Sequence, residues 1–153
     1  MRKLRDISKT SKVNEIKIKY EGETFRFNLN EELSINTAKI NTELKEQPSY
    51  YGFLLLLRNR LLTQKEDLER QSDKRYAHVY LRTAEKINPK TNRPFSDKAA
   101  IQTAMEDTEY NNIRTKFIQA KQNYNDINSC VVSFEQRAQL IQSLSANLRN
   151  ENK

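Results

Sequence analysis

The sequence predicts a mainly α protein: a long antiparallel helical hairpin with a short helix, preceded by an N-terminal β-hairpin. Three observations lead there. First, from Tyr110 to Leu148 a residue that can be buried recurs at steps of three and four: Tyr110, Ile113, Phe117, Ala120, Tyr124, Ile127, Val131, Phe134, Ala138, Ile141, Ser145 and Leu148. Eleven of these twelve are apolar or aromatic, and Leu144 covers for Ser145. Such a stripe belongs to a helix packed along its length on another helix. Second, two glycines, three prolines and no tryptophan disfavour a sandwich or barrel, which needs turn chemistry every few residues. Third, a hydrophobic fraction of 36% is too low for a thick core but sufficient for a thin seam between long helices. A helix over about 108–149 runs roughly 60 Å at about 1.5 Å per residue, so it requires an equally long partner.

The elements follow in order. Residues 1–14 are basic and polar, with Arg2, Lys3, Arg5, Lys9 and Lys12, and read as a flexible arm. Over 15–30 the pattern alternates: Ile16, Ile18 and Tyr20 on one run, Phe25, Phe27 and Leu29 on the next, with Gly22 between them. That is a β-hairpin. Residues 31–153 form the helical domain. Asn30 is expected to cap a first helix over about 31–46, with Glu31 and Glu32 against its N-terminal dipole, ending before Pro48. A long helix over about 49–87 carries the stripe Tyr50, Phe53, Leu54, Leu57, Leu61, Leu68, Tyr76, Val79 and Ile87. It is strong to Leu61 and then interrupted by Lys65, Ser72 and Thr83. Asn88 to Pro94 is a loop. Ser96 caps a short helix over about 96–106, and Asp107 or Thr108 caps the last helix, over about 108–149. The first long helix fills the seam well only to Leu61, so part of the C-terminal stripe is expected to face another subunit in a homo-oligomer.

Charge is unevenly spread. The net +7 is made of seven basic and two acidic residues over 1–20, three and six over 21–48, eleven and six over 49–98, and six each over 99–153. The C-terminal helix is therefore a neutral strut, and the positive potential comes from the arm and the first long helix with its loop. There Arg70, Lys74, Arg75, Arg82, Lys86, Lys90, Arg93 and Lys98 are interleaved with Tyr76, Tyr80 and Phe95. Cations neutralise phosphates and aromatic faces stack on unpaired bases. The mixture suits single-stranded nucleic acid, with no base-reading motif to confer sequence preference. Tyr76 and Tyr80 fit the helical seam equally well. On this basis Arg75→Ala with Arg82→Ala weakens binding without unfolding the protein.

Nothing in the sequence points to chemistry. Two glycines cannot build a phosphate-cradling loop. No Cys/His cluster has metal-ligand spacing. The carboxylates Glu66, Asp67, Glu69 and Asp73 lack a bundle-type Glu-x-x-His partner and alternate with cations, as a solvated face does. His78 reads as a solvent-facing helical residue, and the single Cys130 as a small buried hydrophobe beside Val131. No run approaches the roughly 18 apolar residues of a membrane span. The expectation is a non-enzyme without catalytic residues, metal, other cofactor or membrane partner.

Three local patterns resemble the UvsY-type recombination-mediator family of tailed bacteriophages. Gln47-Pro48-Ser49-Tyr50-Tyr51 opens a long helix rich in Leu and then in Lys and Arg. Asp107-Thr108-Glu109-Tyr110 opens the last helix. Ala120 through Tyr124 leads to Phe134-Glu135-Gln136-Arg137, followed by Leu140 and Leu144. The resemblance covers about residues 45–150 and leaves out the N-terminal hairpin. It implies a ring-forming accessory protein of homologous recombination in the cytoplasm of an infected bacterial host. Such a protein binds single-stranded DNA and helps a RecA-like recombinase displace single-strand-binding protein. The alternative is a virion structural or assembly protein, in which the helices build a ring or connector.

Overall fold

The computed structural model describes residues 14–151, with the side chain of Glu151 outside the description. The basic arm, apart from Asn14, lies outside the described residues. The element order is β1 (Glu15–Tyr20), β2 (Glu23–Asn28), α1 (Leu29–Glu32), a 3-10 turn (Thr37–Lys39), α2 (Ile40–Ala84), β3 (Ile87–Asn88), β4 (Arg93–Pro94), α3 (Asp97–Glu106) and α4 (Thr108–Glu151). The fold is mainly α with an N-terminal antiparallel hairpin, as the sequence predicts. The described residues divide into two compact units, one of residues 14–61 with 123–151 and one of residues 62–122.

In the first unit, β1 and β2 pair in register Ile16↔Phe27, Ile18↔Phe25 and Tyr20↔Glu23. The turn residues Glu21 and Gly22 both have positive φ, at 49° and 85°, as a two-residue hairpin turn requires. Residues on one face of the ribbon therefore enter the core. Ile18 and Phe27 join Leu54, Leu57 and Leu61 of α2 and Ile127, Cys130, Val131 and Phe134 of α4. Tyr50 stacks on Phe134 at 5.1 Å between ring centroids. All twelve positions of the C-terminal stripe are buried or half-buried.

Several sequence expectations need correction. The separate helices over 31–46 and 49–87 are instead a four-residue turn of helix, α1, and one continuous 45-residue helix, α2, with Pro48 inside it. Proline removes a backbone donor and crowds the carbonyl four residues earlier, which ordinarily ends a helix. Here tertiary contacts on both sides of Pro48 override that preference. Gln47 is buried and its Nε2 donates to the Phe134 carbonyl at 3.0 Å, while Tyr50 is held by its stack on Phe134 and Tyr51 donates its hydroxyl to Glu135. The cap of α1 is Asn28, not Asn30: its Oδ1 accepts from Asn30 N at 3.2 Å and its Nδ2 donates to Glu31 at 2.8 Å. Of the proposed α2 stripe, Phe53 and Ile87 are exposed rather than in the seam. Ile87 lies beyond the helix, because Ile87 and Asn88 pair with Pro94 and Arg93. The segment read as a loop is thus a short β-hairpin.

The first unit also has a buried polar knot. Arg137 on α4 donates to Gln47, to Glu43 in an ion pair and to the Ser34 carbonyl at 2.9 Å. Glu43 also accepts from Asn36 N at 3.2 Å. One guanidinium therefore ties the 33–39 connector and the first turn of α2 to α4. The same contact holds the Glu43 carboxyl below the usual carboxylate range, mainly through the Arg137 hydrogen bond.

Candidate nucleic-acid interface

The second unit contains every residue that the sequence singles out for nucleic-acid binding. Its buried residues are mostly small, Ser72 and Thr83 of α2, Ala100 and Ala104 of α3 and Ala120 of α4, packed with one large side chain, Phe117 of α4. Of the polar positions that interrupt the α2 stripe, Ser72 and Thr83 are thus seam positions, while Lys65 is only half-buried. Small side chains let helices approach closely, and little apolar area is left to fix their ends. Polar clamps do that instead.

The strongest clamp is on Arg75. Its Nε and Nη2 donate to the two carboxylate oxygens of Asp107 at 2.8 and 2.7 Å, and its Nη1 lies 2.7 Å from Glu109. Asp107 is at the same time the cap of α4, accepting from Tyr110 N at 2.8 Å. The Arg75 hydrogen bonds, with the Tyr110 amide second, hold the Asp107 carboxyl down at about 2, and the same pair raises the Arg75 guanidinium. A bidentate, partly buried guanidinium between two carboxylates is a neutralised structural group. Arg75 is therefore corrected from a phosphate ligand to the fastener between α2 and the start of α4. These contacts predict that Arg75→Ala lowers stability, where the sequence alone led to the opposite expectation.

The tyrosines are likewise engaged. Tyr76 packs on Tyr80 with ring planes 12° apart and centroids 6.4 Å apart, and tilts against Tyr110 at 5.7 Å. Tyr80 donates its hydroxyl to Asp97 in the first turn of α3, which raises the phenol. Tyr76 is half-buried and belongs to the seam, the alternative that the sequence left open. Arg70 is exposed but paired with Asp67 one turn away.

What remains is a set of six exposed cations: Lys74, Arg82, Lys86, Lys90, Arg93 and Lys98. None of the six forms an ion pair among the described residues. Two local geometries order them. On α2, Lys74, His78 and Arg82 recur every four residues and are all exposed, so they form one stripe. On the small hairpin, Asn88 pairs with Arg93, and the Phe95 amide donates to the Lys86 carbonyl at 3.2 Å. Alternation along strands then puts Lys86, Asn88, Arg93 and Phe95 on one face.

The hairpin turn is self-contained. The Asn88 carbonyl accepts from Thr91 and Asn92 N, its side chain accepts from Lys90 N at 2.9 Å, and Asn92 takes a left-handed φ of 53°. Asparagine tolerates that conformation better than most residues. Lys90 thus sits in a defined turn. Lys98 is in the first turn of α3, whose N-terminus Ser96 caps through Ala99 N at 3.3 Å.

Unneutralised cations, two of them (Lys86 and Arg93) on the same hairpin face as the half-buried Phe95 ring, can contact phosphates and a base face. The cations are readable in the sequence but their order is not, because the β3–β4 pairing rests on two residues per strand. The Arg75 partners are not readable either, because Asp107 and Glu109 lie more than thirty residues away along the chain. Among the described residues no group of His, Cys, Asp and Glu could hold a metal ion, and no helix is long and apolar enough to cross a membrane. No known protein family matches this chain, and neither a characterised protein nor a solved structure similar to it was found.

Proposed function

We propose that the protein is a non-enzymatic, self-associating binder of single-stranded DNA that acts as an accessory factor in phage homologous recombination. The observation that carries the nucleic-acid part is the separation of the basic residues into two kinds. Arg70 and Arg75 are spent on carboxylates, while the six cations from Lys74 to Lys98 are exposed and unpaired among the described residues. A protein that used its lysines and arginines only to solvate a helix face would have no need to order four of them, Lys86, Lys90, Arg93 and Lys98, on and around a turn. Phe95, with no hydroxyl to satisfy, is the aromatic group in the set best suited to stack on an unpaired base.

The narrower role, helping a RecA-like recombinase displace single-strand-binding protein in an infected bacterial cell, rests on the resemblance of residues 45–150 to UvsY-type mediators. Both parts are tested together by strand-exchange assays with a RecA-like recombinase on DNA pre-coated with single-strand-binding protein. The protein should shorten the lag, and the Lys86→Ala, Lys90→Ala, Arg93→Ala variant should not. A lag unchanged by the wild-type protein, with DNA binding intact, removes the mediator role and leaves only the binding.

A further inference from the structure

The N-terminal hairpin offers a surface that DNA binding does not use. Because β1 and β2 are joined by a two-residue turn, Tyr20 and Glu23 form the first hydrogen-bonded pair. The backbone groups of the alternate residues therefore point away from the ribbon. On β1 these include Lys19, whose carbonyl accepts from Asn123 Nδ2 of α4 at 3.3 Å, so that edge is turned toward a helix. On β2 they include Thr24 and Arg26, which are exposed and make no outward backbone hydrogen bond among the described residues. One edge of the hairpin is open.

Beside it lies apolar surface that the fold leaves in water. Phe53 and Leu56 of α2 are 42% and 64% exposed. Phe53 tilts against Phe25 of β2 at 5.9 Å. Together they line a groove of about 300 Å³ whose rim carries Glu21 and Glu23 from the hairpin and Arg60 from α2. An open strand edge next to exposed aromatic and aliphatic side chains is a template for strand addition.

We propose that the edge is completed by β2 of a second copy of this chain, paired antiparallel about a two-fold axis. A second copy is the occupant that the charges favour. One patch carrying both signs is self-complementary, so a two-fold brings Arg60 of each copy toward the acidic rim of the other. The register follows from the open groups. Thr24 sits opposite Arg26 of the second copy, which keeps the two Arg26 side chains from facing each other and sets the two Phe25 rings side by side on the inner face. Two marginal ribbons become one four-stranded sheet, and Phe53 and Leu56 lose their water. The proposal concerns the first unit alone and stands or falls separately from the DNA-binding site.

Sedimentation equilibrium of the full chain tests it. The wild-type mass should rise with concentration toward a dimer or an even multiple. Leu56→Glu, at an exposed position that does not burden folding, should weaken that association at least about tenfold with an unchanged circular dichroism spectrum. A nitroxide on Arg26→Cys gives a second readout, since the buried Cys130 stays unlabelled. The register puts the two Arg26 Cα atoms about 8 Å apart, close enough for dipolar line broadening. A wild-type monomer at every concentration, an association unaffected by Leu56→Glu, or an associated species without broadening each overturns the proposal.

Discussion

Replacing Lys86, Lys90 and Arg93 together by alanine separates a nucleic-acid interface from a solvated helix tip. Each phosphate neutralised on a single strand contributes about −0.7 to the slope of log affinity against log salt. If all six free cations contact phosphates, the wild-type slope is about −4, and removing three brings it to about −2. A fourfold rise in salt then weakens the wild-type complex about 300-fold and the triple variant only about 20-fold. The three side chains are exposed, and the backbone bonds that define the turn do not involve them, so the thermal midpoint should hold. Fluorescence anisotropy with a labelled oligonucleotide across a salt series reads the slope directly. Arg75→Ala is the internal control. Its guanidinium is neutralised by Asp107 and Glu109, so the slope should stay near −4 while the midpoint of unfolding falls. A triple variant that keeps the wild-type slope, or an Arg75→Ala protein of unchanged stability with a reduced slope, refutes the assignment.

Other outcomes follow from the same structure. The Asp107 carboxyl sits at about 2 in the folded protein against an ordinary 3.8. The stability it contributes is present above about pH 4 and is lost as pH falls toward 2. Asp107→Asn should flatten that part of a urea-midpoint profile measured between pH 5 and 2. Arg137→Met leaves the Glu43 carboxylate and the Gln47 amide without their partner, and should cost about 3 kcal/mol in urea unfolding. Glu43→Gln in the same chain should recover part of the loss. Pro48→Ala restores a backbone donor inside α2 and should stabilise by up to about 3 kcal/mol, seen as a raised thermal midpoint. Burial pushes the Cys130 thiol up to about 11, so a thiol reagent at neutral pH should react only after denaturant is added.

How much of this was legible in the sequence depends on range. The C-terminal stripe was readable because a 3–4 repeat over forty residues has one physical solution, and each of its positions is shielded. The β-hairpin was readable from alternation around Gly22. Pro48 misled, because a local rule about helix ends met the Gln47, Tyr50 and Tyr51 contacts to α4, which no local pattern announces. The polar knot around Arg137 was invisible for the same reason: its partners Ser34, Glu43 and Gln47 lie some ninety to a hundred residues upstream. In the candidate site, composition identified the basic segment. Only the fold distinguishes Arg75, which holds the structure together, from Lys86 and Arg93, which do not.

Ultraviolet cross-linking of the protein to a thymine oligonucleotide, followed by mass spectrometry of the peptides, tests the central claim most directly. Cross-links are expected within residues 74–98, concentrated near Phe95, and should be lost at high salt. Cross-links confined to α4 beyond Gln122, or none from single-stranded DNA under conditions where the protein is folded, would contradict it.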